Sequence, residues 1–199
     1  MRLSGPGVLC ANAGFNMNTN SKTVPNNMPP ALATEAQALR ARFVDAMSSN
    51  ATPVTVVTTD GTAGRYGMTV SAFSSVSADP PTVLVCANRS TPAREAIVDN
   101  GVFAVNVLRE DQHELSEVFS GRAAPRFDFS AHPWSTGDLG APVSPAAVAT
   151  FECRVESTHE SGSHTVIIGR VLAIHRGVGQ PLIYCQRRYT KLTLDPCSH

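Results

Sequence analysis

The sequence predicts a mainly β fold, a small barrel with peripheral helices in one domain. Three observations carry that prediction. About seven segments rich in β-branched residues are each bounded by Gly, Pro, Asp or Asn. Only two or three segments show helical spacing, and the connections are mostly short turns. Strands and helices do not alternate, which argues against a doubly wound parallel sheet. A chain of 199 residues, 42% hydrophobic and 16% charged, is long enough to bury one real core.

Residues 1 to 33, rich in Asn, Gly and Pro (GFNMNTNSKTVPNNMPP), lack periodicity and are expected to form a flexible extension ahead of a domain at 34–199. Thr34-Glu35-Ala36-Gln37 reads as a capping box, and Ala36, Leu39, Phe43 and Met47 follow at helical spacing, predicting an amphipathic helix to about Ser48. Strands follow at 53–59 (PVTVVTT), at 67–78 and at 82–88 (TVLVCAN), with the Gly-rich turn DGTAGRYG after the first. A helix is expected after Ser90 or Thr91, because Pro92 suits a first turn and Gly101 a C-terminal stop. VFAVNVL (102–108) is a strand and EDQHELSEVF (110–119) a helix. An irregular Pro-rich span at 121–145 precedes two long strands, 147–158 and 164–175, either side of HESGS, and PLIYC (181–185) ends the pattern.

Sixteen basic residues balance sixteen acidic ones, so neither nucleic acid nor an anionic membrane is expected as a partner. No run approaches the roughly 18 apolar residues of a membrane helix, and a cytoplasmic location is expected. Five cysteines at wide spacings, without C-x-x-C, signal neither a disulfide framework nor a zinc site. Cys86, Cys153 and Cys185 lie in apolar runs and read as buried thiols. His159 and His164 are too weak a pair to predict a metal. There is no G-x-G-x-x-G, Walker A, G-x-S-x-G or H-E-x-x-H.

One stretch stands out. GMTVSAFSSVSADPP, Gly67 to Pro81, has the β-branched residues of a strand yet carries Thr69, Ser71, Ser74, Ser75 and Ser77. Hydroxyls facing water on a half-exposed strand would explain it. Set before a helix that starts at Ser90-Thr91-Pro92, it also suits a planar ligand bearing phosphate. Small side chains at Ser71 and Ala72 admit a flat ring, hydroxyls of Thr69, Ser75 and Ser77 can bond it, and Arg89 and Arg94 can meet phosphate. Period-two alternation cannot turn Ser74, Ser75 and Ser77 all to one face.

The run GMTVSAFSSVSADPPTVLVCANRST resembles the flavin-binding signature of the short-chain flavin reductases. The likeness continues through VFAVNVL with Gln112, Leu115 and Ser116, through Phe127, Trp134 and Ala149 to Cys153, and through Gly162-Ser163-His164, Ile168-Gly169 and Pro181 to Tyr184. It implies the FMN-binding split β-barrel of Greek-key type, usually a homodimer, and an NAD(P)H:flavin oxidoreductase. Thr69, Val70, Ser71 and Ala72 are implied to line the isoalloxazine, Ser75, Val76 and Ser77 to extend that cradle, and Asn88, Arg89, Ser90 and Thr91 to hold the flavin phosphate.

The family's Gly-Asp-His motif, associated with nicotinamide binding, stands here as Gly162-Ser163-His164. His164 is therefore the candidate catalytic residue, although Ser163 removes the carboxylate beside it. Arg126 and Phe127 are candidates to close over the site, and Tyr184 and Tyr189 to cover the flavin, a plain solvated face being the alternative for the tyrosines. The implied cofactors are FAD or FMN, with FAD favoured, and NADH, with NADPH possible. The implied partner is a separate flavin-dependent monooxygenase, an aromatic or chlorophenol hydroxylase. A flavoprotein that keeps its flavin and reduces a ferric or cobalamin acceptor, and a flavin-binding module without turnover, are the competing readings.

Overall fold

The computed structural model describes residues 30–193. The order is α1 (Pro30–Ser48), β1 (Thr52–Pro53), β2 (Thr55–Thr59), β3 (Tyr66–Val70), β4 (Phe73–Ala78), β5 (Pro81–Asn88), α2 (Pro92–Asn100), β6 (Val102–Val107) and α3 (His113–Phe119). It continues with β7 (Ser135–Thr136), β8 (Pro142–Val143), β9 (Ala149–Ser161), β10 (His164–Arg176), β11 (Ile183–Cys185) and β12 (Arg188–Thr190). The mainly β expectation holds. Of the extension expected at residues 1 to 33, residues 1 to 29, with Cys10, lie outside the described residues, as does Cys197, while residues 30 to 33 form the start of α1 instead.

Seven strands form one antiparallel sheet in the order β3-β2-β6-β9-β10-β5-β4. Its two edges, β3 and β4, are consecutive in the chain and joined only by Ser71 and Ala72. The sheet wraps round a single core drawn from all seven strands: Val57, Met68, Val70, Val83, Val85, Phe103, Val105, Cys153 and Ile167 are buried, with Phe73 of β4 packed against them. A barrel split at the β3–β4 corner results. The helix at 92–100 ends as its sequence dictates, with Thr91 as N-cap and Gly101 in the left-handed region at φ 71°.

A second apolar cluster lies on the other face of β2. Val54 and Val56 pack there under Leu108, Leu115, Val118, Phe119 and Leu182, with Phe129, Trp134, Tyr184 and Tyr189 at its margin. Strand β2 is consequently buried along its whole length. Its threonines are satisfied inside the protein: Thr55 Oγ1 donates to Val70 O at 2.7 Å and Thr59 Oγ1 to Val102 O at 2.6 Å.

Glu152 of β9 is fully buried. Its carboxylate accepts the Asp138 N–H at 2.9 Å and the Leu139 N–H at 2.8 Å, and lies 2.6 Å from His175 Nε2. Burial alone would raise this carboxyl, but those donors outweigh it and hold it below the ordinary value. The loop between β7 and β8 is thereby fastened to the sheet. A Cβ at Gly137 would run into the carboxylate, so the close approach requires glycine there.

Three local expectations change. Helix α1 begins at Pro30, four residues before Thr34, so the predicted capping box lies inside the helix. Its apolar residues Leu39, Phe43 and Met47 are 66%, 55% and 42% exposed, while Val44 is buried. The hydroxyl-rich run is two strands with a corner at Ser71–Ala72, and β12 adds a short strand beyond β11. No helix among the described residues is long and apolar enough to cross a membrane.

Candidate functional site

Three segments distant in sequence converge at one end of the barrel. The register of β10 on β5 sets His164 opposite Asn88, and the Arg89 N–H donates to Ser163 O at 3.0 Å. The β3–β4 corner joins them because the Cys86 N–H donates to Ala72 O at 3.0 Å. Thr91 Oγ1 lies 3.8 Å from Met68 Sδ, which brings the start of α2 against β3. The corner, the β5–α2 loop and the Gly162-Ser163-His164 turn thus meet, as the family resemblance implies and local residue patterns alone do not.

The β5–α2 loop is stiffened from within. Asn88 Oδ1 accepts both the Ser90 N–H and the Ser90 hydroxyl at 2.9 Å, and Thr91 Oγ1 donates to Asn88 O at 2.8 Å. The nine-residue helix α2 begins immediately after it, so its positive dipole end faces the same place. Arg89 and Arg94 bracket the loop, and the carboxylate of Glu160 bridges them, Oε2 at 3.1 Å from Arg89 Nη2 and Oε1 at 2.9 Å from Arg94 Nη2. Arg94 also donates Nε–H to Thr165 Oγ1 at 3.0 Å. Glu160 had no signal in the sequence, because its partners lie 66 and 71 residues earlier.

His164 is half-buried. Burial pushes its imidazole below the ordinary value, which keeps the ring neutral at pH 7. Ser163 Oγ lies 2.9 Å from its Nδ1. A serine in place of the family's aspartate therefore still orients the ring, but without a negative charge to favour the imidazolium. The ring remains able to hydrogen-bond through Nε2.

The hydroxyls of the cradle divide. Thr69 and Val70 turn inward: Thr69 is 9% exposed with its hydroxyl donating to Ser116 O at 2.7 Å, and Val70 belongs to the barrel core. The Thr69 proton is committed inside, so this hydroxyl cannot donate to a ring carbonyl as expected, and only its oxygen is left to accept. Ser71 is half-buried and Ala72 exposed. On β4 a bulge between Ser75 and Ser77 changes the alternation. Ser75 pairs with Val83, whose side chain enters the core, whereas Ser74 and Ser77 pair with Leu84 and Thr82 on the opposite face. Ser75 and Val76 are exposed, and Ser77 exchanges hydrogen bonds with the Asp79 backbone.

The remaining candidates lie elsewhere. Phe127, 48% exposed, donates its N–H to Val118 O at 3.1 Å and packs on Gly121 beyond α3, with the exposed Arg126 beside it. Tyr184 and Tyr189 stack edge-to-face, centroids 5.5 Å apart, against the second cluster. Tyr189 Oη is 3.0 Å from Ser116 Oγ, and burial raises its phenol. Both tyrosines are half-buried at the margin of that cluster, beside the exposed Arg188 and Thr190. Cavities of about 200 Å³ beside Arg109 and His132 and about 300 Å³ beside Thr150 and His175 are lined by none of the converging residues.

Of the three described cysteines, all free, Cys153 is buried, whereas Cys86 and Cys185 are only partly so. Burial, with Glu152 adjacent, pushes the Cys153 thiol up to about 12. Asp138, Glu152 and His175 bring ligand-type atoms within 4.8 Å of one another, but the Glu152 oxygens already accept N–H donors.

A split barrel whose β3–β4 corner, capped helix and hairpin turn converge in this way defines the class, and sequence comparison agrees with it. The profile of the family described as flavin reductase like domain matches residues 47–193, and the chain belongs to that family. The FMN reductase (NADH) RutF of Ancylobacter novellus is 43% identical over 158 residues, 79% of this chain and 87% of that protein. Among solved structures, the styrene monooxygenase flavin reductase of Pseudomonas putida S12 superposes with a TM-score of 0.69 at 36% identity, covering 77% of this chain and 99% of the other. The NADH:FAD oxidoreductase SgcE6 of Streptomyces globisporus C-1027 gives 0.73 at 30% identity, covering 78% and 94%.

Proposed function

We propose that the protein oxidises NADH and reduces diffusible FMN or FAD, delivering reduced flavin to a separate monooxygenase. The observation that carries this reading is the convergence of the Ser71–Ala72 corner, the Asn88–Thr91 loop and His164 at one barrel end. The names of the similar proteins support the substrates: FMN and NADH for the RutF protein of Ancylobacter novellus, and FAD and NADH for the Streptomyces neighbour. The styrene monooxygenase reductase supports the kind of partner. An aromatic or chlorophenol hydroxylase is the proposed recipient, and FAD remains the favoured flavin, to be set against FMN in the assay below.

The residues present fit such a ligand. The Glu160 carboxylate between Arg89 and Arg94 occupies the place where a two-oxygen anion such as a phosphate would be held. The exposed Ala72 and the small Ser71 leave the corner open to a flat ring. When bound, the flavin supplies the hydride acceptor, which no side chain can. The chain's own part is to grip the phosphate at Arg89, Ser90 and Thr91, to present the backbone of Thr69, Val70, Ser71 and Ala72 to the ring, with Ser75, Val76 and Ser77 alongside, and to orient the nicotinamide with the neutral imidazole of His164. Holding the two reactants in register is itself a large share of such catalysis.

Arg126, Phe127, Tyr184 and Tyr189 are proposed to approach the site only through loop movement or a second copy of the chain. The exposed stripe Leu39, Phe43 and Met47 on α1, with Leu172 and Ile174 exposed on β10, supports a homodimer. A cytoplasmic location follows from the need for NADH, and the functional domain is taken to begin near α1.

The test is steady-state oxidation of NADH and of NADPH with FAD, FMN and riboflavin each offered in turn. NADH oxidation that requires added flavin is expected. A yellow cofactor that survives desalting, with free flavin barely turned over, would instead mark a flavoprotein with another acceptor. No oxidation of either nicotinamide would mark a binding module.

A further inference from the structure

The Glu160 carboxylate stands where a ligand is expected. It lies at the tip of β9 and reaches two guanidinium groups at once, 3.1 Å from Arg89 Nη2 and 2.9 Å from Arg94 Nη2. The two arginines are not equivalent. Arg94 is 21% exposed and is also tied to Thr165 Oγ1, so it is fixed. The Arg89 side chain is 49% exposed, and among the described residues its guanidinium makes only one other hydrogen bond, a long one from Nη1–H to Gly162 O at 3.4 Å. Glu160 itself is half exposed. The bridge is therefore built from one anchored cation, one movable cation and a movable anion.

We propose that Glu160 is an internal competitor for the flavin phosphate, a residue that sets how tightly flavin is retained. A carboxylate and a phosphate present the same paired oxygens to a guanidinium fork. Glu160 takes that place here. When a flavin phosphate arrives, the Arg89 guanidinium turns to it and Glu160 withdraws to water. Exposed pairs of this kind cost little to exchange, so the carboxylate lowers affinity modestly without blocking the site. Weak retention suits a protein whose product must leave for another chain. The inference rests on the reading that the Asn88–Thr91 loop receives the phosphate.

The experiment titrates the full chain with FMN and with riboflavin, which lacks the phosphate, following flavin fluorescence for the wild type, Glu160→Gln, Arg89→Ala and the double variant, with thermal melts on each. Glu160→Gln is expected to bind FMN about threefold to tenfold more tightly and riboflavin unchanged. Arg89→Ala is expected to weaken FMN alone and to erase most of the gain in the double variant. If Arg89→Ala weakens FMN while Glu160→Gln leaves it unchanged or weaker with the melt intact, the loop reading stands and the competitor is overturned. Arg89→Ala with an unaltered FMN-to-riboflavin ratio overturns the loop reading, and the competitor with it.

Discussion

Two glutamates eight residues apart on β9 show how one strand supplies both architecture and exchangeable chemistry. Glu152 is fully buried, and its oxygens are occupied by two backbone N–H groups and a histidine. Backbone donors cannot rotate away, so the carboxylate is a permanent fastening of the β7–β8 loop. Glu160 is half exposed and pairs only with side chains, which can turn to another anion. The charge is the same; the mobility of the donors decides whether it serves the fold or the ligand.

The contrast is broken most severely at Glu152. Glu152→Gln replaces an acceptor oxygen with an N–H₂ group facing backbone donors, and destabilisation by about 2–4 kcal/mol is expected. That corresponds to a fall in Tm of roughly 5–12 °C, measurable by calorimetry. The pH dependence has a definite sign. A carboxyl held below its ordinary value in the folded protein gives stability that is complete above the unfolded value, 4.5, and lost as pH falls through the folded value. The wild type is therefore expected to lose more Tm than Glu152→Gln on acidification below 4.5. Parallel losses would show that the carboxylate is not the group that titrates.

Next in size is the site itself. His164→Ala is expected to raise the NADH KM about tenfold, some 1.4 kcal/mol of positioning, with flavin affinity nearly intact. Equal loss of both affinities would make His164 a residue of the fold or of the flavin cradle. Since burial holds its ring neutral, the NADH KM should stay flat from pH 7 upward and rise only on acidification. Glu160→Gln, expected to tighten FMN by about threefold to tenfold, comes after it and carries no stability cost comparable to that at Glu152.

What the sequence made legible follows the same division. Helix α2 was readable because its signals, Thr91-Pro92 and Gly101, are local. The Gly67–Pro81 run read as one strand, yet it turns a barrel corner at Ser71–Ala72, which only the wrapping of the whole sheet requires. Strand β12 escaped because its hairpin turns on Gln186 and Arg187 at φ 50° and 63°, residue types that carry no turn signal. Family resemblance supplied the loop Asn88–Thr91 and His164. Glu152 and Glu160 were invisible because each depends on partners 13 to 71 residues away, and a glutamate in a strand gives no hint of which face it takes.

A third carboxylate on the same strand sharpens the comparison at its small end. Glu156 lies between the other two and meets Arg170 Nη2 at 2.6 Å, with both side chains about 40% exposed. It fastens no backbone and touches none of the converging loops, so it isolates the worth of an ion pair alone. Glu156→Gln is expected to change stability by less than about 0.5 kcal/mol and to leave FMN and NADH binding unaltered. A change in FMN affinity matching that of Glu160→Gln would mean that negative charge anywhere on β9 repels the phosphate, and the specific exchange at Arg89 would lose its support. Silence at Glu156 beside a response at Glu160 would place the effect in the geometry of the Arg89 bridge.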